Sequence, residues 1–126
     1  MLPGKRGQVK GIVITTENEI SIKDFGEDYL SEVKEVIGGW PEHCHPRLLP
    51  EPLCMFVDDE GLRKELPISG VGSFLYGTLA HGHPIVGTIV ILKDEGPNIV
   101  GLTDEEINTL CGWLLRTFKL RGDITL

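Results

Sequence analysis

The run Ile85–Leu92, "IVGTIVIL", places the strongest constraint on how this chain of 126 residues can fold. Its aliphatic and β-branched residues are nearly continuous, so they leave little polar surface for solvent. Such a run is typical of a central strand that is buried on both faces of a sheet. The sequence therefore predicts a sheet with other structure packed on each side of it.

Four further segments predict the first half of the fold. "GIVITTENEISIKDF" predicts a β-hairpin with a polar turn. "EDYLSEVKEVIGG" predicts a helix that Gly38 and Gly39 end, because glycine adopts the left-handed conformation of a helix end. The prolines of "WPEHCHPRLLPEP" predict an edge strand or an extended loop. "LCMFV" predicts a strand, and the acidic set Asp58, Asp59 and Glu60 predicts a hairpin turn after it.

Two helices are predicted in the second half of the chain. Ser69 is placed to cap a short helix that Gly77 ends, with Val71, Phe74 and Leu75 pointing inward. A longer helix is expected to begin after Thr103, which forms a capping-box pattern with Glu106. Its predicted apolar stripe consists of Ile107, Leu110, Cys111, Leu114, Leu115 and Phe118.

Together these elements predict an α+β fold. We expect one domain over residues 1–126, with a mostly antiparallel sheet, two main helices and one short helix. Residues 1–8 and 120–126 are expected to be tails, which are flexible unless, for the C-terminal one, the segment "RGDITL" packs against the domain.

The composition disfavours several partners and compartments. The net charge of -7 opposes binding to a nucleic-acid backbone or to an anionic membrane surface. No apolar run approaches the roughly 20 residues of a membrane span, and the N-terminus lacks the apolar core of a signal peptide. The three cysteines show no CxxC spacing. We therefore expect a protein of the reducing cytoplasm.

All four histidines lie in two short pieces, "PEHCHP" and "AHGHP". Residues i and i+2 of an extended segment face the same side, so His43 pairs with His45, and His81 with His83, while Cys44 points away. If the two pairs met, four nitrogen ligands would suit zinc. The favoured alternative is that the histidines are solvated or make one hydrogen bond each in loops rich in proline and glycine. We therefore expect no metal and no cofactor; if a metal binds, these four histidines are the predicted ligands.

The segment "SGVGSFLYG" is the second candidate site. Backbone N–H groups of a glycine-rich turn before a helix can hold an anion. The segment matches neither phosphate-binding glycine motif, so a tight turn that requires glycine is the alternative. The predicted ligand contacts are Ser69, Gly70, Gly72, Ser73, His81 and His83.

No residue pattern indicates catalysis. Cys54 and Cys111 lie in apolar patterns typical of core packing, and no serine occupies a nucleophile elbow. The sequence therefore predicts a protein that is not an enzyme.

Five segments, taken in order, carry a resemblance: "VIGGW", "LCMFVDDEGLRKELPIS", "FLYG", "HPIVGTIVILKD" and "GLTDEEI". Over roughly residues 9–116 the chain resembles a family of small proteins of phages, plasmids and their bacterial hosts, domain of unknown function 3846. The resemblance implies a hairpin, a helix ending in Gly-Gly and a closing helix, with no established activity. Members usually carry an asparagine after the Leu-Pro step, where this chain has Ile68, Ser69 and Gly70.

The resemblance and the missing catalytic pattern together predict a function. We expect an accessory protein of a phage or mobile element, a non-enzymatic binding module that acts on a host protein, with a homo-oligomer as an open alternative. A second alternative is an oligomeric sponge that sequesters a small nucleotide signal of host defence. A third is a metal-dependent enzyme that uses the histidine pairs.

Overall fold

The computed structural model describes residues 9–78, 83–122 and 124. Along these residues, six strands and three helices follow one another. The strands are β1 (Lys10–Ile14), β2 (Ile20–Asp24), β3 (Pro41–Cys44), β4 (Leu53–Asp58), β5 (Ile89–Glu95) and β6 (Asn98–Val100). The helices are α1 (Tyr29–Ile37), α2 (Gly70–Tyr76) and α3 (Asp104–Thr117).

All six strands join one antiparallel sheet in the order β2-β1-β5-β4-β3. β6 pairs with β5 at Lys93–Glu95, beyond the residues Ile89–Ile91 that pair with β1. The predicted hairpin is β1 and β2, and the predicted central strand is β5, whose residues Ile89 to Leu92 are fully buried. The proline-rich segment supplies β3, which forms one edge of the sheet.

Helices cover both faces of the sheet. On one face, Val33 and Ile37 of α1 pack against Phe56 and Val90. On the other face, α2 and α3 share a larger core with the sheet, which includes Leu75 and Leu114. The side-chain alternation of β4 divides the two cores, since Cys54 and Phe56 face α1 while Met55 and Val57 face α2 and α3.

The helix ends follow the capping signals of the sequence. Gly38 ends α1 with φ 85°, a left-handed conformation that glycine adopts without strain. The Ser69 hydroxyl accepts a hydrogen bond from the Gly72 amide at the start of α2. Thr103 and Glu106 form the predicted capping box of α3. The predicted α+β fold, with an antiparallel sheet, two main helices and one short helix, is confirmed.

Four local predictions were wrong. Leu115 does not belong to the buried stripe of α3: its side chain is 39% exposed, while the neighbouring Leu114 is fully buried. Phe74 does not point inward: its side chain is 49% exposed because α2 buries the face that carries Val71 and Leu75. The central strand begins at Ile89 rather than Ile85, because Gly87 takes a φ of 83° that breaks the extended conformation. The acidic turn does not close a hairpin, since β4 pairs with β3 and β5 instead of the segment that follows it.

The described end of the chain packs against the core. Leu120 and Ile124 are partly buried there, and the Ile20 amide donates to the Arg121 carbonyl at 2.7 Å. Residues 1–8, the other predicted tail, lie outside the described residues. None of the described helices has the length and apolar character that a membrane crossing requires.

Candidate metal centre

His43 and His45 lie side by side on the edge strand β3 and its continuation. The two imidazole rings face the same side of the sheet, as the i and i+2 spacing predicts, and their centroids lie 4.7 Å apart. The His43 ring also packs on the Phe56 ring of β4 at 5.3 Å. Cys44 points to the opposite face, where it packs against the core that α2 and α3 cover. The pair therefore stands on the α1 face of the sheet.

Asp94 of β5 joins this pair from two strands away. His43 Nε2 is 2.9 Å from Oδ1 of Asp94, and His45 Nε2 is 2.8 Å from Oδ2. The backbone fixes the carboxylate at this place, because the Asp94 amide donates to the Pro52 carbonyl just before β4. One carboxylate therefore meets two imidazoles, each through a separate oxygen.

These three residues have the spacing of a metal-ligand set. One ligand atom from each of them lies within 4.8 Å of the other two. The ligand atoms around a tetrahedral zinc ion lie about 3.4 Å apart, given metal–ligand distances of about 2.1 Å. Small side-chain rotations would bring the three ligand atoms to this shorter spacing. The His45 side chain has room to rotate because it is 63% exposed. Two imidazole nitrogens and one carboxylate thus fit a divalent transition metal, with coordination positions left open.

The electrostatics favour an ionised Asp94. Its partial burial on its own would raise the pKa of this carboxyl group. The hydrogen bonds and charges of His43 and His45 outweigh that effect and hold the pKa of Asp94 below its usual value. The carboxylate form that a metal requires is therefore the stable one near neutral pH.

Cys54 lies behind the carboxylate, fully buried on β4. Burial raises the pKa of its thiol to about 12, and the nearby charge of Asp94 acts in the same direction. The expectation that Cys54 and Cys111 are core residues is confirmed, since both are buried.

The second histidine pair stays apart in the described structure. The His83 ring lies against Tyr76 at 5.6 Å, and the His83 carbonyl accepts from the Thr78 hydroxyl. Within the described residues, the group of metal-capable side chains contains Asp94 beside His43 and His45, without His83. His81 lies outside the described residues, so a meeting of the four histidines stays a prediction.

The polar groups of the glycine-rich segment serve the fold. Ser69 is 1% exposed, and its hydroxyl caps α2 by accepting from the Gly72 amide. The Ser73 hydroxyl accepts from the Ile85 amide and donates to the Ile85 carbonyl, which ties α2 to the approach of β5. Gly72 is buried, and a side chain there would meet Ile85 and Ile89. Gly70 is exposed at the start of α2. Ligand binding by this segment stays a prediction. The Ser69 and Ser73 hydroxyl groups already have hydrogen-bond partners within the chain.

The acidic turn after β4 contains a structural ion pair. The Asp58 side chain is 1% exposed and accepts from Lys64 Nζ at 2.8 Å and from the Glu60 amide at 2.8 Å. Lys64 also donates to the Gly38 carbonyl at the end of α1. This pair links the turn to α1 and gives the buried Asp58 side chain a cationic partner.

Residues 9–115 match the family model described as "Domain of unknown function (DUF3846)". The chain belongs to the DUF3846 family. No curated protein and no solved structure matches this DUF3846 chain.

Asp94 is the residue of this candidate site that the sequence did not single out. It ends the apolar run of β5 in "ILKDEG", where a charged pair before a glycine is also what an ordinary turn requires. A carboxylate at the end of a central strand was the available signal. Its partners could not be inferred, because they depend on which strand lies two positions away in the sheet.

Proposed function

We propose that this chain is a metal-binding module that binds one divalent transition-metal ion through His43, His45 and Asp94. The observation that carries the proposal is that one potential ligand atom of each of these three residues lies within 4.8 Å of the other two. The sequence favoured no metal because it offered only histidine pairs in loops. A carboxylate between two imidazoles is a stronger donor set, since it supplies both the nitrogen ligands and a neutralising charge.

The donor types narrow the choice of ion. Imidazole suits zinc, cobalt, nickel and iron, whereas magnesium and calcium prefer a shell made of oxygen atoms. Three protein ligands leave at least one position for water or for an outside ligand. The single carboxylate cancels one of the two positive charges, so an anionic outside ligand is favoured at the open position.

Titration of untagged, metal-free protein with Co²⁺ and Zn²⁺ tests the proposal. We expect saturation at one ion per chain, with d–d absorption of the cobalt form, and a loss of affinity of about tenfold or more in His43→Ala, His45→Ala and Asp94→Ala. His83→Ala is the matched control, because His83 packs on Tyr76 outside the cluster. Absence of saturable binding, or an equal loss in the control, would sink the proposal.

A second candidate function is the binding of a host protein, and a surface groove supports it. The groove has a volume of about 630 Å³ and runs between the segment before β4 and α3. We name it the Leu48–Trp113 groove; its lining residues include Leu48, Leu53, Leu110, Trp113, the acidic Glu51 and Glu105, and the basic Arg116. The Leu48 side chain is 49% exposed, so part of the apolar lining faces solvent.

The rim of this groove indicates the chemistry of the partner. Glu51 and Glu105 are exposed, and neither forms an ion pair with another described residue. They outnumber Arg116, the cation among the described residues that line the groove. A segment with apolar anchors and flanking Lys or Arg side chains would match both the floor and the rim. We therefore propose a basic amphipathic helix of a host protein as the occupant.

A synthetic amphipathic helix of Leu and Lys tests this second candidate. We expect it to change the fluorescence of Trp113 in a Trp40→Phe background, and we expect a version with Glu in place of Lys to bind at least about tenfold more weakly. The charge-reversed variant Glu51→Lys/Glu105→Lys should invert the preference. Equal binding of the two peptides would contradict the proposed occupant.

The remaining expectations stay proposals. A phage or mobile-element origin rests on the resemblance alone. A nucleotide sponge would need donors other than the Ser69 and Ser73 hydroxyls, which bond within the chain. A catalytic role would use the open metal position, and a hydrolysable substrate tested with the cobalt form would reveal it.

A further inference from the structure

The loop between β3 and β4 connects the proposed metal site with the Leu48–Trp113 groove. Residues 48–53 line that groove across from α3, and we call them the groove wall. His45 precedes the wall by three residues. Near the other end of the wall, the Asp94 amide donates to the Pro52 carbonyl at 2.8 Å. Two of the three proposed ligands therefore hold the two ends of the groove wall.

We infer that the ion is regulatory: by fixing both ends of the groove wall, it orders the surface on which a partner of the groove would dock. This inference rests on the proposed metal-binding function and names what that function regulates. Because coupling between two binding sites is reciprocal, the ion and an occupant of the groove would each raise the affinity of the chain for the other.

The groove wall has few other restraints among the described residues. Four of its six residues are exposed, and Leu49 is the one that is buried. The Leu48 amide donates to the Leu75 carbonyl of α2 at 3.1 Å. A segment with so little buried surface opens locally at a lower free-energy cost than the strands beside it. Metal binding can therefore change the order of the wall while the rest of the fold stays intact.

Side-chain hydrogen bonds alone hold the ends of this loop weakly. The His45 side chain is exposed, so water competes for its hydrogen bond with Asp94. A bound ion would replace that hydrogen bond by metal–ligand bonds of about 2.1 Å from both residues. Any opening of the wall that displaces His45 or Asp94 then also has to expel the ion. The free energy of metal binding thus adds to the cost of opening the wall.

Amide hydrogen exchange with and without Zn²⁺ tests the inference, since Zn²⁺ is diamagnetic and permits NMR detection of single amides. The reporters are the amides of Leu48 and Leu53, which both donate backbone hydrogen bonds and so exchange when the wall opens. At a free Zn²⁺ concentration of about 100 times the Kd, mass action limits the slowing of exchange to about 100-fold. We expect exchange at both amides to slow by about tenfold or more.

Two controls separate this effect from a general gain in stability. The Ile20 amide donates to the Arg121 carbonyl at the opposite edge of the sheet, and Zn²⁺ should leave its exchange unchanged. Asp94→Ala removes a ligand, so Zn²⁺ should no longer slow exchange in the wall. His83→Ala should retain the full effect, because His83 packs on Tyr76 outside the cluster.

Two results would overturn the inference while leaving metal binding intact. One is saturable Zn²⁺ binding with unchanged exchange at Leu48 and Leu53. The other is an equal slowing at Ile20, which would make the ion a general stabiliser of the fold. If the unaltered chain binds no Zn²⁺, the proposed function and this inference both fall.

Discussion

His43 Nε2 lies 2.9 Å from Oδ1 of Asp94, although 51 positions separate the two residues in the chain. The contact passes over β4, which separates the strands that carry them. Side chains thus join the edge strand β3 to the central strand β5, in addition to the backbone hydrogen bonds of the sheet.

The first prediction concerns Asp94 and acid. The pKa of Asp94 is lower in the folded chain than its ordinary value of 3.8, because of its hydrogen bonds with His43 and His45, which outweigh its burial. A carboxyl group of this kind stabilises the fold fully above its unfolded pKa, and that contribution is lost as the pH falls through the folded pKa. The stability advantage over Asp94→Asn should therefore be largest above pH 3.8 and shrink below it.

Urea unfolding of metal-free protein at several pH values measures this difference. The comparison is restricted to the acid side of about pH 5, the range in which the carboxyl group at position 94 takes up its proton in the unfolded and then in the folded chain. A difference between the two proteins that stays constant down to the lowest pH at which both fold would contradict the prediction.

The second prediction concerns the buried ion pair. Lys64→Met leaves the Asp58 carboxylate buried without its cationic partner, and the free energy of unfolding should fall by about 2 kcal/mol. Arg63→Met is the neighbouring control, because Arg63 pairs with Glu60 on the surface. It should change stability by less than about 1 kcal/mol. Chemical denaturation of both variants measures the two losses in the free energy of unfolding. Equal losses would show that the buried Asp58 pair stabilises the fold no more than the surface pair does.

The third prediction concerns Gly39. A Cβ at this position would lie 2.6 Å from both Asp58 Oδ2 and Lys64 Nζ, so Gly39→Ala must push the ion pair apart. We expect a loss of about 1–3 kcal/mol. Gly70→Ala is the control, since nothing lies within 4 Å of a Cβ there and alanine favours the start of α2. A melting temperature for Gly39→Ala at or above that of Gly70→Ala would refute the crowding argument.

The fourth prediction compares adjacent residues of α3. Leu114 is fully buried, so Leu114→Asp places an unpaired charge in the core and should prevent folding. Leu115 is 39% exposed, and Leu115→Asp should retain the fold with a loss of about 1 kcal/mol or less. Soluble expression and circular dichroism distinguish the two. A folded Leu114→Asp protein would contradict the packing of α3.

Much of the local structure could be predicted because its causes lie within a few residues. The Thr103–Glu106 capping box, the Gly38 helix end and the alternating hairpin all act over one or two turns of chain. The burial of β5 followed from composition alone. Where a local signal was ambiguous, prediction failed: the acidic turn resembled a hairpin turn, and Phe74 resembled a core residue.

The sequence by itself determined the α+β class, the family and the placing of His43 and His45 on one side of an extended segment. Only the tertiary structure decided that Asp94, rather than the other histidine pair, is their described partner. The physical reason is that strand order results from burying both sheet faces at once. That order places β3 two strands from β5, and this spacing cannot be inferred from a short segment of the sequence.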